Sequence, residues 1–269
     1  MNSYSALTLL FGLLFIQACH SPTTKKEDTP IDSVATKDSS SLTSKDSTGL
    51  SISAAADSSK GQIFLVRSYR IWEKEDPTAV LNKDWFDLYE REGKYYLEKV
   101  DYEIKDGYDE CAQVPSKSVE SKRNSLLFLN IKGLKPGAVE NMKINHSEIW
   151  PKESAEYNFG KHYIILKGFG NIKSTEVQTD EKGHEKIFHE VSKYKLNVTF
   201  GGAHEMTLFQ KDQYEQVFMS TLFVGDIDRD GQLDFIFSNP GNYEEEALLL
   251  FLSNGGKPLI FEANEQFDC

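Results

Sequence analysis

The octapeptide KYKLNVTF places Tyr194, Leu196, Val198 and Phe200 at alternate positions, with Lys193, Lys195, Asn197 and Thr199 between them. A period of two gives a helix no apolar face; it describes a strand with one side buried and one side wet. GQIFLVRSYRIW, beginning at Gly61, and KHYIILKGFG, beginning at Lys161, are similarly rich in β-branched and aromatic residues. DWFDLYEREGKYYLEKVDYEI reads as two strands around a turn near Glu92-Gly93. Further hairpin signals lie at Asp106-Gly107, in DEKGHE (180–185) and in SNGGKP (253–258), and LKPG (134–137) is another turn. KDQYEQVFM (211–219) is the one candidate for a short helix. The expected class is mainly β, an antiparallel sandwich or barrel. A small β-propeller is the alternative architecture, although no period of about 40–45 residues supports blades. The nearest internal echo, DYEIKDGYDE, puts Tyr102 and Ile104 where a second copy of the acidic loop described next would need ligands.

That loop is FVGDIDRDGQLDFIFSNPG, Phe223 to Gly241. With Asp226 as position one, Asp228, Asp230 and Asp234 fall at three, five and nine, and Gly231 at six. Aspartates on alternate residues of a tight loop converge. Gly231 permits the sharp turn, and the backbone carbonyl of Gln232 at position seven can face inward. Four carboxylates without a cation repel one another, and hard oxygen ligands at this density suit calcium, which takes six to eight oxygens. An EF-hand is excluded: position twelve is Phe237 rather than a bidentate glutamate. The following apolar run ends at Pro240-Gly241, which no helix can continue through. STLFVG before the loop is β-branched and apolar, so the reading is strand–calcium loop–strand near the C-terminus.

The stretch FVGDIDRDGQLDFIF, followed by ALLLFLSNGG, resembles the calcium loop of the FG-GAP and VCBS-type families, D-x-D-x-D-G-x-x-D between β-strands. The resemblance spans residues 221 to 256. It implies Asp226, Asp228, Asp230 and Asp234 as side-chain ligands and Gln232 as a main-chain ligand. Those families usually repeat the module, whereas this chain carries it once.

The N-terminal end has a different character. MNSYSALTLLFGLLFIQAC holds an apolar run from Ala6 to Ile16, too short as a helix to cross about 30 Å of hydrocarbon but suited to a secretory signal. Ile16-Gln17-Ala18-Cys19 resembles the lipobox of bacterial lipoproteins, which implies cleavage after residue 18 and lipidation of Cys19. An ordinary signal peptide cut nearby, with Cys19 a free thiol, is the alternative. Residues 19–60 are dominated by Ser, Thr, Asp and Lys, with no aromatic between Phe15 and Phe64, and read as a disordered tether. Lys25-Lys26-Glu27-Asp28 loosely resembles the charged surface-export signal of Bacteroidetes lipoproteins, with a solvated linker as the plainer reading. Residues 61–269 form one mainly β domain. If Cys19 carries lipid, Cys111 and Cys269 allow one intramolecular disulfide, closing a loop of roughly 158 residues and adding roughly 4–5 kcal/mol in the chain-entropy model.

A net charge of −12 argues against nucleic acid as a partner and against electrostatic docking on anionic lipid. His184 and His189 in GHEKIFHE are five apart, so neither a helix nor a strand puts both on one face for zinc. His204-Glu205 reads as a surface pair, and His146, Glu148 and Trp150 as an edge strand in preference to a carbohydrate-binding face. No nucleophile elbow, phosphate loop or dinucleotide fingerprint is present, so no catalytic residue is assigned. The expectation is a calcium-stabilised lipoprotein of the bacterial outer membrane, held by lipid at Cys19. Its role is binding or structural work, with an envelope protein or glycan as partner. A hydrolase acting on envelope or extracellular polymers is the alternative.

Overall fold

The computed structural model describes residues 60–267 apart from 74, 180–181, 203–204 and 255–257. Of the two compact units into which the chain divides, Met1–Lys45 and Asp46–Cys269, the described residues belong to the second. The signal segment, Cys19, the tether and Cys269 lie outside the described residues.

Sixteen strands make up the described part: β1 (Gly61–Phe64), β2 (Ser68–Arg70), β3 (Phe86–Arg91), β4 (Lys94–Lys99), β5 (Tyr102–Asp109), β6 (Val114–Ser121), β7 (Asn124–Ile131) and β8 (Gly137–Asn141). They continue as β9 (Ser154–Phe159), β10 (His162–Thr179), β11 (Glu185–Phe200), β12 (Met206–Gln213), β13 (Ser220–Asp226), β14 (Asp234–Ser238), β15 (Glu245–Leu252) and β16 (Leu259–Gln266). No α-helix occurs among the described residues; one 3-10 turn, Pro77–Val80, is capped by Asp76, whose carboxylate accepts the Thr78 N–H.

Nine strands form one antiparallel sheet in the order β1-β7-β3-β4-β8-β13-β14-β15-β16. Its edges, β1 and β16, come side by side without pairing, so the sheet is nearly a closed barrel. A four-stranded sheet, β12-β11-β10-β9, packs on the outside of the C-terminal strands, and β2-β6-β5 forms a third. The mainly β expectation therefore holds as a barrel-like sheet with a sandwich built against it, and one continuous nine-stranded sheet replaces the propeller alternative.

Two apolar clusters explain why the C-terminal strands are written as uninterrupted apolar runs. Ile236, Leu248, Leu250 and Leu252 belong to the cluster that includes Trp85, Leu88, Leu127 and Phe223. Their neighbours Phe235, Phe237, Leu249 and Phe251 belong to the cluster shared with Leu196, Val198 and Phe209 of the four-stranded sheet. Successive side chains point to opposite faces, so β14 and β15 are buried on both sides and tolerate no polar alternation. Each such side chain contributes about 1.5–3 kcal/mol of burial. β11 has one wet face and keeps the alternation: Tyr194, Leu196 and Val198 are fully buried between exposed or half-buried neighbours.

Three local expectations are corrected. Asp106-Gly107 is not a turn but lies within β5, opposite Lys117 and Ser116. A Cβ on Gly107 would lie 2.9 Å from Ser116 Oγ. The reversal comes later, with Gln113 at φ 56°. Residues 211–219 form no helix: Lys211 to Gln213 continue β12, and the backbone beyond is held by tertiary bonds, Tyr214 Oη to Asn239 Oδ1 at 2.6 Å and Glu215 N to the Gly241 carbonyl at 3.0 Å. His146, Glu148 and Trp150 lie outside the strands, and Trp150 is buried, stacked on Phe218 at 3.8 Å. The Glu92-Gly93 turn stands as read, with both residues at positive φ, the geometry of a tight hairpin.

Candidate metal centre

β13 ends at Asp226 and β14 begins at Asp234, so the acidic loop is the connection of a paired hairpin, with Gly225 opposite Asp234. On its other side β13 meets β8, Gly225 facing Asn141 and Asp226 facing Glu140. The approach is so close that a Cβ at Gly225 would overlap the Glu140 carbonyl oxygen and lie 2.6 Å from Phe223 Cζ. Glycine before the first aspartate is therefore what lets β8 press against the loop. Gly231 has φ +83°, and Arg229 is also left-handed at φ 63°, with Nη2 donating to the Ala138 carbonyl at 3.2 Å.

Asp226, Asp228 and Asp234 each direct a carboxylate oxygen into one cluster whose atoms lie within 4.8 Å of one another. Oxygens bound to one calcium at about 2.3–2.6 Å are separated by no more than about 5 Å, so the spacing fits a shared ion. The loop backbone holds the set. Asp226 accepts the N–H groups of Asp230 and Gly231 at 3.1 and 3.0 Å. Asp234, fully buried, accepts Ile227 N at 2.6 Å and Ser253 N at 2.9 Å. Asp230 is not in that 4.8 Å set but borders it: it is exposed and accepts Gln232 N at 2.8 Å and the Ser253 hydroxyl at 3.1 Å, and that hydroxyl also lies 3.1 Å from Asp234. Three of the four expected carboxylates thus converge; Gln232 sits in the loop as the partner of Asp230.

Burial is the main force on the cluster's ionisation. It pushes the Asp228 carboxyl up to about 6, the Asp230 charge adding to it. Burial likewise raises Asp226, against the opposing Gly231 N–H bond. It holds Asp234 well above the ordinary carboxylate range, with the Asp228 charge as second cause. At an effective dielectric of about 20, each ionised pair near 4.8 Å costs roughly 3–4 kcal/mol. Protons or a bound cation relieve that cost, and carboxylate oxygens are ligands suited to hard cations.

Ser253 is the residue sequence reading missed. It follows β15, and its N–H and hydroxyl both reach Asp234, while the hydroxyl also reaches Asp230. One hydroxyl proton serves one acceptor at a time, so Ser253 ties the loop to the end of β15 without neutralising it. The signal was a β14–β15 register that pairs Phe235 with Phe251 and so brings Ser253 toward Asp234.

The histidines declined as metal ligands in the sequence stay outside the cluster where they are described. His189 shares a hydrogen bond with Thr175 at 2.8 Å and packs edge-on against Trp150, and it belongs to no candidate metal set among the described residues. His204 lies outside the described residues. The partner expected for Cys111, Cys269, is not among the described residues. No described helix is long and apolar enough to cross a membrane, which says nothing of strands. No family model, curated protein or solved structure matches the chain.

Proposed function

We propose that this protein is a calcium-stabilised lipoprotein of the bacterial outer membrane, anchored by lipid at Cys19, with a binding or structural role toward an envelope protein or glycan. The observation that carries the calcium part is the convergence of Asp226, Asp228 and Asp234, two of them buried, in a loop whose backbone N–H groups hold the carboxylates. Calcium, bound there, supplies the positive charge the cluster lacks. Asp226 and Asp234 terminate adjacent strands, so an ion shared between them clamps the β13–β14 hairpin, and Ser253 extends the clamp to β15. A disulfide between Cys111 and Cys269 belongs to the same reading, since export through the envelope gives an oxidising compartment. The lipobox-like Ile16-Gln17-Ala18-Cys19 supports the anchor.

The test is a thermal melt in excess chelator and again in calcium. At one hundred times its dissociation constant a ligand adds about 2.7 kcal/mol, worth roughly 5–10 °C for a domain of this size. Identical melts in the two buffers overturn the calcium reading. Metabolic labelling with a palmitate analogue, lost in Cys19→Ser, tests the anchor separately.

A further inference from the structure

The ribbon of β10 and β11 outruns its neighbours. β9 pairs with β10 only over His162–Lys167, and β12 reaches toward the start of β11 only as far as Ser192. Two bulges, between Phe169 and Asn171 and between Ile172 and Ser174, bend the free part. Residues 174, 176 and 178 share one face of it. That face and residues 213–216 enclose a cleft of about 670 Å³, inside the range of small-molecule sites. Gln216 lines it in a left-handed conformation, φ 58°, which is strained for a non-glycine residue and is kept where the surroundings impose it.

The lining chemistry narrows the ligand. Its only aromatic rings, Phe188 and Tyr214, are buried, so a lipid or other apolar guest finds little surface. Carboxylates among the lining residues disfavour anions. Two of them already carry donors: Glu176 accepts Gln178 Nε2 at 2.8 Å, and Glu190 accepts the Ser174 hydroxyl at 3.1 Å and pairs with Lys173 at 3.6 Å. Lys173 also donates to Gln213 at 3.4 Å. What the cleft offers is an interleaved set of amide donors, amide acceptors and braced carboxylates. A sugar hydroxyl donates one hydrogen bond and accepts others, which is the pattern such a set satisfies.

We infer that this cleft binds a short, neutral, hydroxyl-rich oligosaccharide. It shares no residue with the aspartate loop, so a failed calcium titration leaves it intact.

The test uses the full chain in a detergent without a sugar head group, titrated in calcium buffer with cellotriose, maltotriose, mannotriose and chitotriose by calorimetry and ligand-observed NMR. Saturable binding of at least one, millimolar or tighter, is expected. In Gln178→Ala/Gln213→Ala, two exposed or half-buried positions, affinity falls about tenfold or more through the loss of two hydrogen bonds, with an unchanged melting temperature. Asp228→Asn retains the sugar. The inference is overturned by absence of saturable binding to all four, by binding indifferent to the double variant, or by trilysine or a second calcium ion occupying the cleft in their place.

Discussion

Replacing Asp228 by Asn separates electrostatics from geometry in the acidic loop. The Asp228 carboxylate accepts a hydrogen bond from Asp230 N at 3.2 Å, and an amide oxygen can accept the same bond. The substitution therefore removes charge and little else. Without metal, the wild-type carboxyl titrates at about 6 against an ordinary value of 3.8, raised first by burial and then by the Asp230 charge. Because the folded-state value is raised, the wild-type fold carries no penalty well below pH 3.8, where the group is protonated in both states; the penalty grows as pH rises from about 4 to about 6 and is complete above that. A two-unit shift corresponds to about 3 kcal/mol; discounted for partial exposure, about 1–2 kcal/mol is the expected gain for Asp228→Asn at pH 7.5 in chelator, or roughly 3–6 °C. At pH 4 the difference shrinks to about 0.5 kcal/mol or less. In calcium the order reverses, because the variant loses a ligand and most of the ion's stabilisation. Differential scanning fluorimetry at pH 4, 6 and 7.5, in chelator and in calcium, reads all six conditions. A variant that melts below wild type in chelator at pH 7.5, or that keeps the full calcium shift, refutes the reasoning.

Two other outcomes follow from the packing. Gly225→Ala forces a methyl group into the Glu140 carbonyl and against Phe223; a loss of about 1–3 kcal/mol is expected from such overpacking, measured as a lower urea midpoint with an unchanged slope. Tyr157 is buried with a hydroxyl that has no hydrogen-bond partner among the described residues, and burial pushes it up to about 12. Tyr157→Phe is expected to be neutral or to stabilise by about 1 kcal/mol at pH 7, and to hold its stability better as pH rises from 10 to 12, where the unfolded tyrosine ionises before the folded one; urea melts at pH 7 and 11 check both.

Legibility differed from element to element for identifiable reasons. KYKLNVTF was readable because β11 has one wet face, so burial is printed as alternation. The runs around Phe235–Phe237 and Leu248–Leu252 were recognisable as strands, yet nothing local says that both of their faces are covered by different sheets. Asp106-Gly107 has the composition of a turn, but pairing with β6 across eight residues outweighs that preference. Residues 211–219 carry helix-compatible spacing, and the bonds that hold them extended come from Asn239 and Gly241, more than twenty positions away.

The sequence by itself determined the mainly β class and the aspartate spacing of the loop, because alternation and ligand spacing are properties of neighbours along the chain. The tertiary structure decided that a nine-stranded sheet curls until its edges meet, that Ser253 is brought against Asp230 and Asp234, and that a bent ribbon makes a polar cleft with residues 213–216. Those features depend on register, bulges and contacts between segments far apart in sequence, whose energies are set by which surfaces meet and not by any residue's own preference.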